Sequence, residues 1–319
     1  AEGESEQNVT TAENPEHKHC VCGKGELSVT GHDHEEKTWT GINSLYKISS
    51  AGYYYLTDNV TIDSVWKCPD GVALCLNGHS ITREIKSSSR WPHENAVICV
   101  NTTNSTFTLT DCKENGIIKH EGENTGAGVY NIGSFFMYNG MISNNNCGVI
   151  NGGDFNMYGG TISGNINETT SDYGGGVYVA AQHIFNMYGG TISGNTAGYG
   201  GGVNNEGTFN MYDGSTISDN TECILPGANF EGGGAVYNRG TFNMKGGVIS
   251  GNTSAGDGGG VFNYNGTFNM SSGEIKGNKS TAINNGGGGV YIEAGKFEMS
   301  GGKITDNSSE RNGGGVYQN

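Results

Sequence analysis

The chain has little positive charge and no long apolar runs. Its 319 residues include 17 Lys and Arg against 32 Asp and Glu, which gives a formal net charge of −15. Nucleic acids and anionic membrane surfaces bind basic patches, so neither is expected as a partner. No apolar run approaches the roughly 20 residues that cross a bilayer, so we expect no membrane insertion in this segment. No charged-then-apolar leader precedes the polar start at Ala1, so any secretion signal was removed or never present.

Glycine, in contrast, is abundant, with 57 residues. It separates the apolar pieces of one phrase that is written eight times from Val129 onward, the last copy unfinished. Each full copy has a valine, then Phe-x-Met, then an isoleucine. The valines are Val129, Val149, Val177, Val203, Val236, Val261, Val290 and Val316. The phenylalanines are Phe135, Phe155, Phe185, Phe209, Phe242, Phe268 and Phe297, and a methionine follows each of them two residues later. The isoleucines are Ile142, Ile162, Ile192, Ile217, Ile249, Ile275 and Ile304.

This spacing predicts a β-solenoid. Phe-x-Met has a period of two, so both side chains point to one side of a strand, and the Gly and Asn residues between the apolar pieces mark turns. A single copy cannot bury its apolar face, but stacked copies form continuous Val, Phe/Met and Ile columns. We therefore predict an all-β fold, a right-handed parallel β-helix with three short strands per rung, as a monomer.

An asparagine closes the third strand of each copy. Stacked at one corner, these side chains can hydrogen-bond along the coil axis and satisfy turn backbone, so we predict a structural ladder without a ligand. Its members are Asn145, Asn165, Asn195, Asn220, Asn252, Asn278 and Asn307.

Composition divides the chain into three parts. Residues 1–16 are acidic and polar, and we predict a disordered tail. Residues 17–50 form a Cys/His-rich capping segment. Residues 51–319 form the β-helix, which we expect to continue beyond Asn319 because solenoids normally cap an open strand edge. Within it, Leu74 to Thr82 aligns with Phe155 to Ser163, and Phe107 to Leu109 opens another degenerate copy.

The cysteines and histidines of the capping segment predict a metal site. Two thiols and up to four imidazoles lie within a short stretch, and a Cys₂His₂ set suits structural zinc, which can fold a segment too short for a core. The predicted ligands are Cys20, Cys22, His32 and His34, with His17 and His19 as alternatives. A disulfide or an incidental His-rich tail would explain the same residues. No organic cofactor is indicated, and no pairing is predicted for the six other cysteines.

The residues also resemble a known family. The Gly-Gly-Gly-Val-Tyr and Ile-Ser-Gly-Asn-Thr phrases resemble glycine-rich repeats of bacterial surface β-helix proteins, similar to the polymorphic outer-membrane-protein repeats of autotransporter adhesins. The upstream His-x-His-Cys-x-Cys-Gly and Leu-Cys-Leu-Asn-Gly-His-Ser-Ile segments resemble secreted repeat proteins of Gram-positive gut bacteria. The resemblance implies a pectate-lyase-like β-helix that is secreted or on the cell surface. It implies no activity, because that fold carries lyases, hydrolases and adhesins alike.

Outward-facing aromatic residues are the predicted binding surface. They are Tyr138, Tyr158, Tyr188 and Tyr212 after the methionines, Tyr178 and Tyr237 after the valines, and Trp91 in an upstream insertion. Exposed rings in rows suit stacking on sugars, although the rings can instead stack on each other and cover the sheet. The length of the phrase varies mostly between Ile and the next Val and barely from Val to Ile, so longer loops emerge at one corner.

Three functions remain open from the sequence. We expect an adhesin-type binding protein that recognises a glycan or a host or cell-surface protein through one face of the coil. The alternative is a polysaccharide lyase or glycoside hydrolase, for which Asp172 and Glu231 are the candidate acids at equivalent corners. A structural stalk is the third possibility.

Overall fold

The computed structural model describes residues 17–21, 35–84, 94–122, 126–168, 173–224, 232–283 and 285–319. The regular secondary structure of this part of the chain is nearly all β-strand, and the strands run parallel in all but one pair. Its one helical turn is the 3₁₀ segment Leu45–Lys47. The strands Lys18–His19 and Lys37–Thr38 form a separate antiparallel pair.

Three parallel sheets make the coil, and we name each by the repeated residue that it places in the core. The Val sheet contains Trp66–Lys67, Ile98–Val100, Ala127–Asn131, Cys147–Asn151, Val177–Val179, Val203–Asn205, Val236–Asn238, the starts of Val261–Lys276 and Val290–Met299, and Val316–Gln318. The Phe sheet contains Thr40–Ile42, Gly52–Leu56, Val72–Cys75, Thr106–Thr110, Ser134–Met137, Asp154–Met157, Ile184–Met187, Thr208–Met211, the start of Thr241–Ser250, and parts of Val261–Lys276 and Val290–Met299. The Ile sheet contains Val60–Ile62, Ser80–Glu84, Ile117–Glu121, Met141–Ser143, Thr161–Ser163, Gly190–Ser193, Ser215–Ser218, the ends of Thr241–Ser250 and Val261–Lys276, and Lys303–Thr305.

A fourth, shorter sheet follows the corner asparagines. It has six strands of two residues each: Ile166–Asn167, Thr196–Ala197, Thr221–Glu222, Thr253–Ser254, Lys279–Ser280 and Ser308–Ser309. The three strands per rung that the phrase predicts are therefore joined, in these copies, by a fourth short one.

The strand register matches the repeat residue for residue. Val149 pairs with Val177, Phe155 with Phe185, and Ile162 with Ile192. The same identities continue along the coil, so the repeated Val, Phe and Ile residues lie above one another inside it. Consecutive Phe rings from Phe135 to Phe297 stack with centroids 4.7–4.9 Å apart. The predicted all-β parallel β-helix is confirmed, and the arrangement is compatible with the expected right-handed coil.

The upstream rungs differ from the alignment made on the sequence. Leu74 pairs with Leu109, and Leu109 pairs with Met137, so Leu74 occupies a Met position and not the predicted Phe position. Ile81 does occupy the predicted Ile position. The alignment was wrong by two residues in the Phe sheet because a shift of two leaves every side chain on the same face. Parallel stacking also begins at Thr40, which pairs with Tyr54, so the coil takes in part of the segment assigned to residues 17–50.

The predicted asparagine ladder is present. Each corner amide donates from Nδ2 to Oδ1 of the next corner asparagine at 2.9–3.0 Å, from Asn145 to Asn307. Nδ2 also donates to the carbonyl oxygen of an isoleucine in the preceding rung, as Asn220 does to Ile192 at 3.0 Å. His120 begins the ladder, with its Nδ1 2.8 Å from Oδ1 of Asn145. The ladder thus satisfies buried turn backbone along the coil.

Candidate functional site

The column of tyrosines that follows the methionines is a continuous stack. Ring centroids are 4.8 Å apart for Tyr138 and Tyr158, 5.0 Å for Tyr158 and Tyr188, and 4.7 Å for Tyr188 and Tyr212. All four side chains are half-buried, and burial raises the pKa of Tyr138 to about 12. Rings inside the column have both faces covered by neighbouring rings, so only their edges can meet a ligand.

Tyr138 differs from the others because it begins the column. Leu109 pairs with Met137, so the position that precedes Tyr138 in the stack belongs to Thr110, which carries no ring. Tyr138 lines an open groove on the outer face of the first rungs, with a volume of about 550 Å³. We call this the N-terminal groove. Its described lining is Val21, Ala51, Gly52, Tyr53, Gly71, Val72, Ala73, Thr106, Thr108, Phe136 and Tyr138.

The described lining of the groove has no charged side chain, and the hydroxyl of its Thr106 donates to the neighbouring Asp70 carboxylate at 3.2 Å. Three aromatic rings, two threonine hydroxyls and small or aliphatic residues line it, and none of the described lining residues carries a charge. Phe136 stands where the later rungs have Asn156 and Asn186, so the outward amide row gives way to an aromatic ring at this end of the coil. A volume of this size lies within the range of small-molecule sites.

The tyrosines of the Val sheet do not form an exposed row. Tyr237 is fully buried, with Phe262 and Tyr291 also buried and Tyr199 and Tyr264 packed against them. The expectation that Tyr237 is exposed was wrong, because a second apolar layer covers the outer face of the Val sheet there. Tyr178 is half-buried, contacts Tyr173 edge to face and donates a hydrogen bond to Glu206 at 2.8 Å.

Three of the predicted binding and catalytic residues lie outside the described part of the chain. They are Trp91 of the binding surface and the two candidate acids, Asp172 and Glu231.

A cluster of two histidines and two cysteines lies beside the groove. One potential ligand atom from each of His17, His19, Cys75 and Cys112 falls within 4.8 Å of the other three. His17 and His19 come from the N-terminal segment, Cys75 ends a strand of the Phe sheet, and Cys112 follows the next strand of that sheet. Stacking of successive rungs therefore brings the thiols together, and the antiparallel pair places the imidazoles over them.

The imidazole rings are held from the sides. His17 stacks on Tyr55 with centroids 4.0 Å apart, and His19 stacks on Trp39 at 4.3 Å. The Trp39 indole donates from Nε1 to the carbonyl oxygen of His19 at 3.0 Å, and its backbone N–H donates to the carbonyl oxygen of His17 at 3.0 Å. These contacts fix the position of the segment that supplies both histidines.

The nitrogen that His19 directs into the cluster is the one suited to a metal. Nδ1 of His19 lies 2.6 Å from the carbonyl oxygen of Cys20, which can only accept, so Nδ1 carries the proton. In the neutral ring Nε2 is therefore the acceptor nitrogen, and it is buried without a hydrogen-bond partner. A backbone carbonyl that orients the second ring nitrogen is the usual support of a metal-binding histidine.

The pKa values of the two thiols are shifted in opposite directions. A hydrogen bond from Cys75, together with the nearby imidazoles, lowers the pKa of Cys112 to about 4. The same hydrogen bond and burial raise the pKa of Cys75. The Sγ of Cys112 also lies 3.7 Å from Nε2 of His17. The cluster therefore offers a thiolate, a second thiol and two imidazoles, which is a soft donor set.

This cluster overlaps only in part with the ligands predicted from the sequence. His17 and His19 were the alternatives, and Cys22, His32 and His34 lie outside the described residues. Cys20 is disulfide-bonded, so its sulfur is not a thiolate donor in this structure. Cys75 and Cys112 were missed. The available signal was a pair of cysteines in adjacent degenerate rungs, and it required the correct register to be seen.

Comparison with family models, with curated proteins and with solved structures finds no match to this chain. Among the described residues, no helix has the length and apolar character needed to cross a membrane. The class that the structure defines is thus a parallel β-helix with a His/Cys cluster and, at its N-terminal end, a groove whose described lining carries no charged side chain.

Proposed function

We propose that the protein is an adhesin-type binding protein that holds a short, neutral oligosaccharide in the N-terminal groove. The observation that carries this proposal is the break in the tyrosine stack at Tyr138, where one ring begins the column and faces an open groove. Aromatic faces beside hydroxyl groups suit the apolar faces and hydroxyls of sugar rings. Phe136 and Tyr53 add rings, and Thr108 adds a hydroxyl in the same groove.

The absence of charge in the described lining favours a neutral sugar over a uronate. A uronate-binding site needs Arg, Lys or a cation to neutralise carboxylates, and the chain has a net charge of −15. Long-range repulsion would disfavour an anionic polymer at such a surface. We infer that polyuronates are not the ligand, which also weighs against the alternative of a uronate lyase.

The rigid coil supports a display role. Repeated columns and ladders give each rung the same geometry, so a groove at one end is held in a defined orientation without a second domain. In line with the resemblance of its repeats to bacterial surface proteins, we propose that the protein is secreted or presented at a cell surface.

We also propose that the His/Cys cluster binds structural zinc. Ligand atoms around a tetrahedral zinc lie about 3.3–3.8 Å apart, so a cluster with all atoms within 4.8 Å needs only small inward movements. Four protein donors leave no open position for a substrate, so the role is structural and not catalytic. The ion would join the N-terminal segment to the first rungs.

Binding to a panel of neutral oligosaccharides tests the groove. Cellotetraose, xylotetraose, mannotetraose and chitotetraose serve as probes, with tetragalacturonate as the anionic comparison, and affinity is measured by calorimetry. We expect at least one neutral probe to bind, and Tyr138→Ala to weaken it about tenfold or more. Tyr188→Ala is the matched control, because both faces of that ring are already covered. Equal losses in the two variants, or binding of the uronate alone, would contradict the proposal.

Metal analysis tests the zinc site. The purified protein is expected to hold one zinc per chain, and Cys112→Ser is expected to lose it. Cys223→Ser is the control, because Cys223 is also a free cysteine but lies outside the cluster. Zinc retained at one equivalent in Cys112→Ser would remove the site.

A further inference from the structure

The metal cluster and the groove share structural elements. Val21 lines the groove two residues after His19, and Ala73 lines it two residues before Cys75. The strand that carries Ala73 and Cys75 alternates in facing, so both side chains lie on the outer side of the Phe sheet. They belong to one small buried cluster with Trp39 and Cys112.

Contacts between aromatic rings also connect the His/Cys cluster with the N-terminal groove. His19 stacks on Trp39, and Trp39 meets the edge of Tyr53 at 5.4 Å. Tyr53 lines the groove. A displacement of His19 therefore reaches the groove by two routes, through the backbone to Val21 and through the Trp39 ring to Tyr53.

The described contacts of the N-terminal segment include ring stacking on Tyr55 and Trp39, two hydrogen bonds from Trp39 and one short strand pair. Its strand pairs with Lys37–Thr38 over two residues only, Lys18 with Thr38 and His19 with Lys37. Two-stranded pairs are marginal even when they are much longer. A zinc ion bound by His17 and His19 from this segment, and by Cys75 and Cys112 from the coil, would tie the two together.

We propose that zinc binding at the His/Cys cluster orders the N-terminal wall of the groove and thereby strengthens oligosaccharide binding there. The first half of this statement rests on the zinc site proposed above, and the second half rests in addition on the proposed oligosaccharide binding. Zinc holds His19, and His19 holds Val21 and Trp39 in place, so the segment that carries this wall detaches more often in the metal-free protein. By linkage, the oligosaccharide raises the affinity for zinc by the same factor, and couplings of this kind are typically about 5- to 150-fold.

Limited proteolysis tests the ordering of the wall without any sugar. Trypsin cleavage after Lys18, located by mass spectrometry, follows the fraction of protein in which the segment is detached. We expect added zinc to slow this cleavage at least about tenfold in the full chain, and to have no effect in Cys112→Ser. Cys223→Ser should respond like the parent. Cleavage that is equally fast with and without zinc, in a protein shown to bind the metal, would overturn the proposal.

Calorimetry of cellotetraose and chitotetraose with zinc-loaded and zinc-free protein tests the coupling. The expected result is about tenfold weaker binding without zinc. Val21→Ser should still bind zinc, and zinc should still slow its cleavage. Its sugar affinity, however, should differ much less between the zinc-loaded and the zinc-free protein than that of the parent. Sugar affinity that is the same with and without zinc would reject the coupling. No sugar binding to the zinc-loaded protein would reject the proposed function, while zinc-dependent cleavage would still support the ordering of the wall.

Discussion

Asn220 is the residue at which the energetic role of the corner ladder can be measured most cleanly. Its amide donates from Nδ2 to Oδ1 of Asn252 at 2.9 Å and to the carbonyl oxygen of Ile192 at 3.0 Å. Its Oδ1 accepts from the backbone N–H of Asn195 at 3.0 Å and from Nδ2 of Asn195 at 2.9 Å. The side chain is completely buried, so water cannot replace these partners in the native coil.

Asn220→Ala removes all four hydrogen bonds at once. Each contributes about 0.5–1.5 kcal/mol net, and a buried partner left unsatisfied costs about 1–3 kcal/mol. Counting the four bonds at about 1 kcal/mol each gives a loss of about 4 kcal/mol in the free energy of unfolding. Urea unfolding followed by circular dichroism measures this loss, provided that the slope of the transition is unchanged.

Asn210→Ala is the matched control. Asn210 belongs to the same rung and also makes two amide-to-amide hydrogen bonds, with Asn186 and Asn243 at 2.9 Å. It lies on the outer face and is half-buried, so water can replace its partners and the expected loss is below about 1 kcal/mol. Losses that agree within about 1 kcal/mol in the two variants would refute the view that the corner ladder stabilises the coil by satisfying buried groups.

Two further predictions concern the same rungs. Burial raises the pKa of Glu222 to about 7 from an ordinary 4.5. The folded state therefore binds the proton more tightly, and stability should fall by up to about 3 kcal/mol between pH 5 and pH 8. Glu222→Gln should flatten this dependence in urea titrations across that range, and an unchanged slope would contradict the assignment. Gly190→Ala should cost about 3 kcal/mol or more, because φ is +88° and the added Cβ would lie 2.8 Å from the backbone carbonyl oxygen of Gly160. Gly194→Ala, at φ +63° with open space around it, should lower the free energy of unfolding by only about 1 kcal/mol. Thermal unfolding of the two glycine variants measures this difference, and equal losses would contradict it.

The regular rungs could be predicted from the sequence because their signal is redundant. Each copy repeats Val, Phe, Met and Ile at nearly constant spacing, so an error in one copy is corrected by its neighbours. The degenerate rungs lack this support. Leu74 was placed two residues from its true position, and the period of two hid the error because every candidate side chain still faced inward.

The metal cluster could be predicted only in part, because its donors are distant in the chain. Local spacing identified His17 and His19 as possible ligands, but Cys75 and Cys112 join them only after two rungs have stacked. The burial of Tyr237 was missed for a related reason. Alternation predicts which face of a strand a side chain occupies, but not whether a second layer covers that face.

The groove escaped the sequence analysis because it depends on where a row ends. The tyrosine row was recognised, yet a stacked row hides its own ring faces; Tyr138 at one end lines the groove, whereas Lys245 lies over the Tyr212 ring at the other. Phe136 was the visible departure at this end of the row, since it replaces the asparagine found between Phe and Met in most later copies.

A crystal structure of the zinc-loaded protein with a bound neutral oligosaccharide tests the central claim most directly. We expect a sugar ring against Tyr138 in the N-terminal groove, beside Phe136 and Thr108, and a zinc ion held by His17, His19, Cys75 and Cys112. Sugar density at another face of the coil, or a groove that stays unoccupied at saturating oligosaccharide, would contradict it.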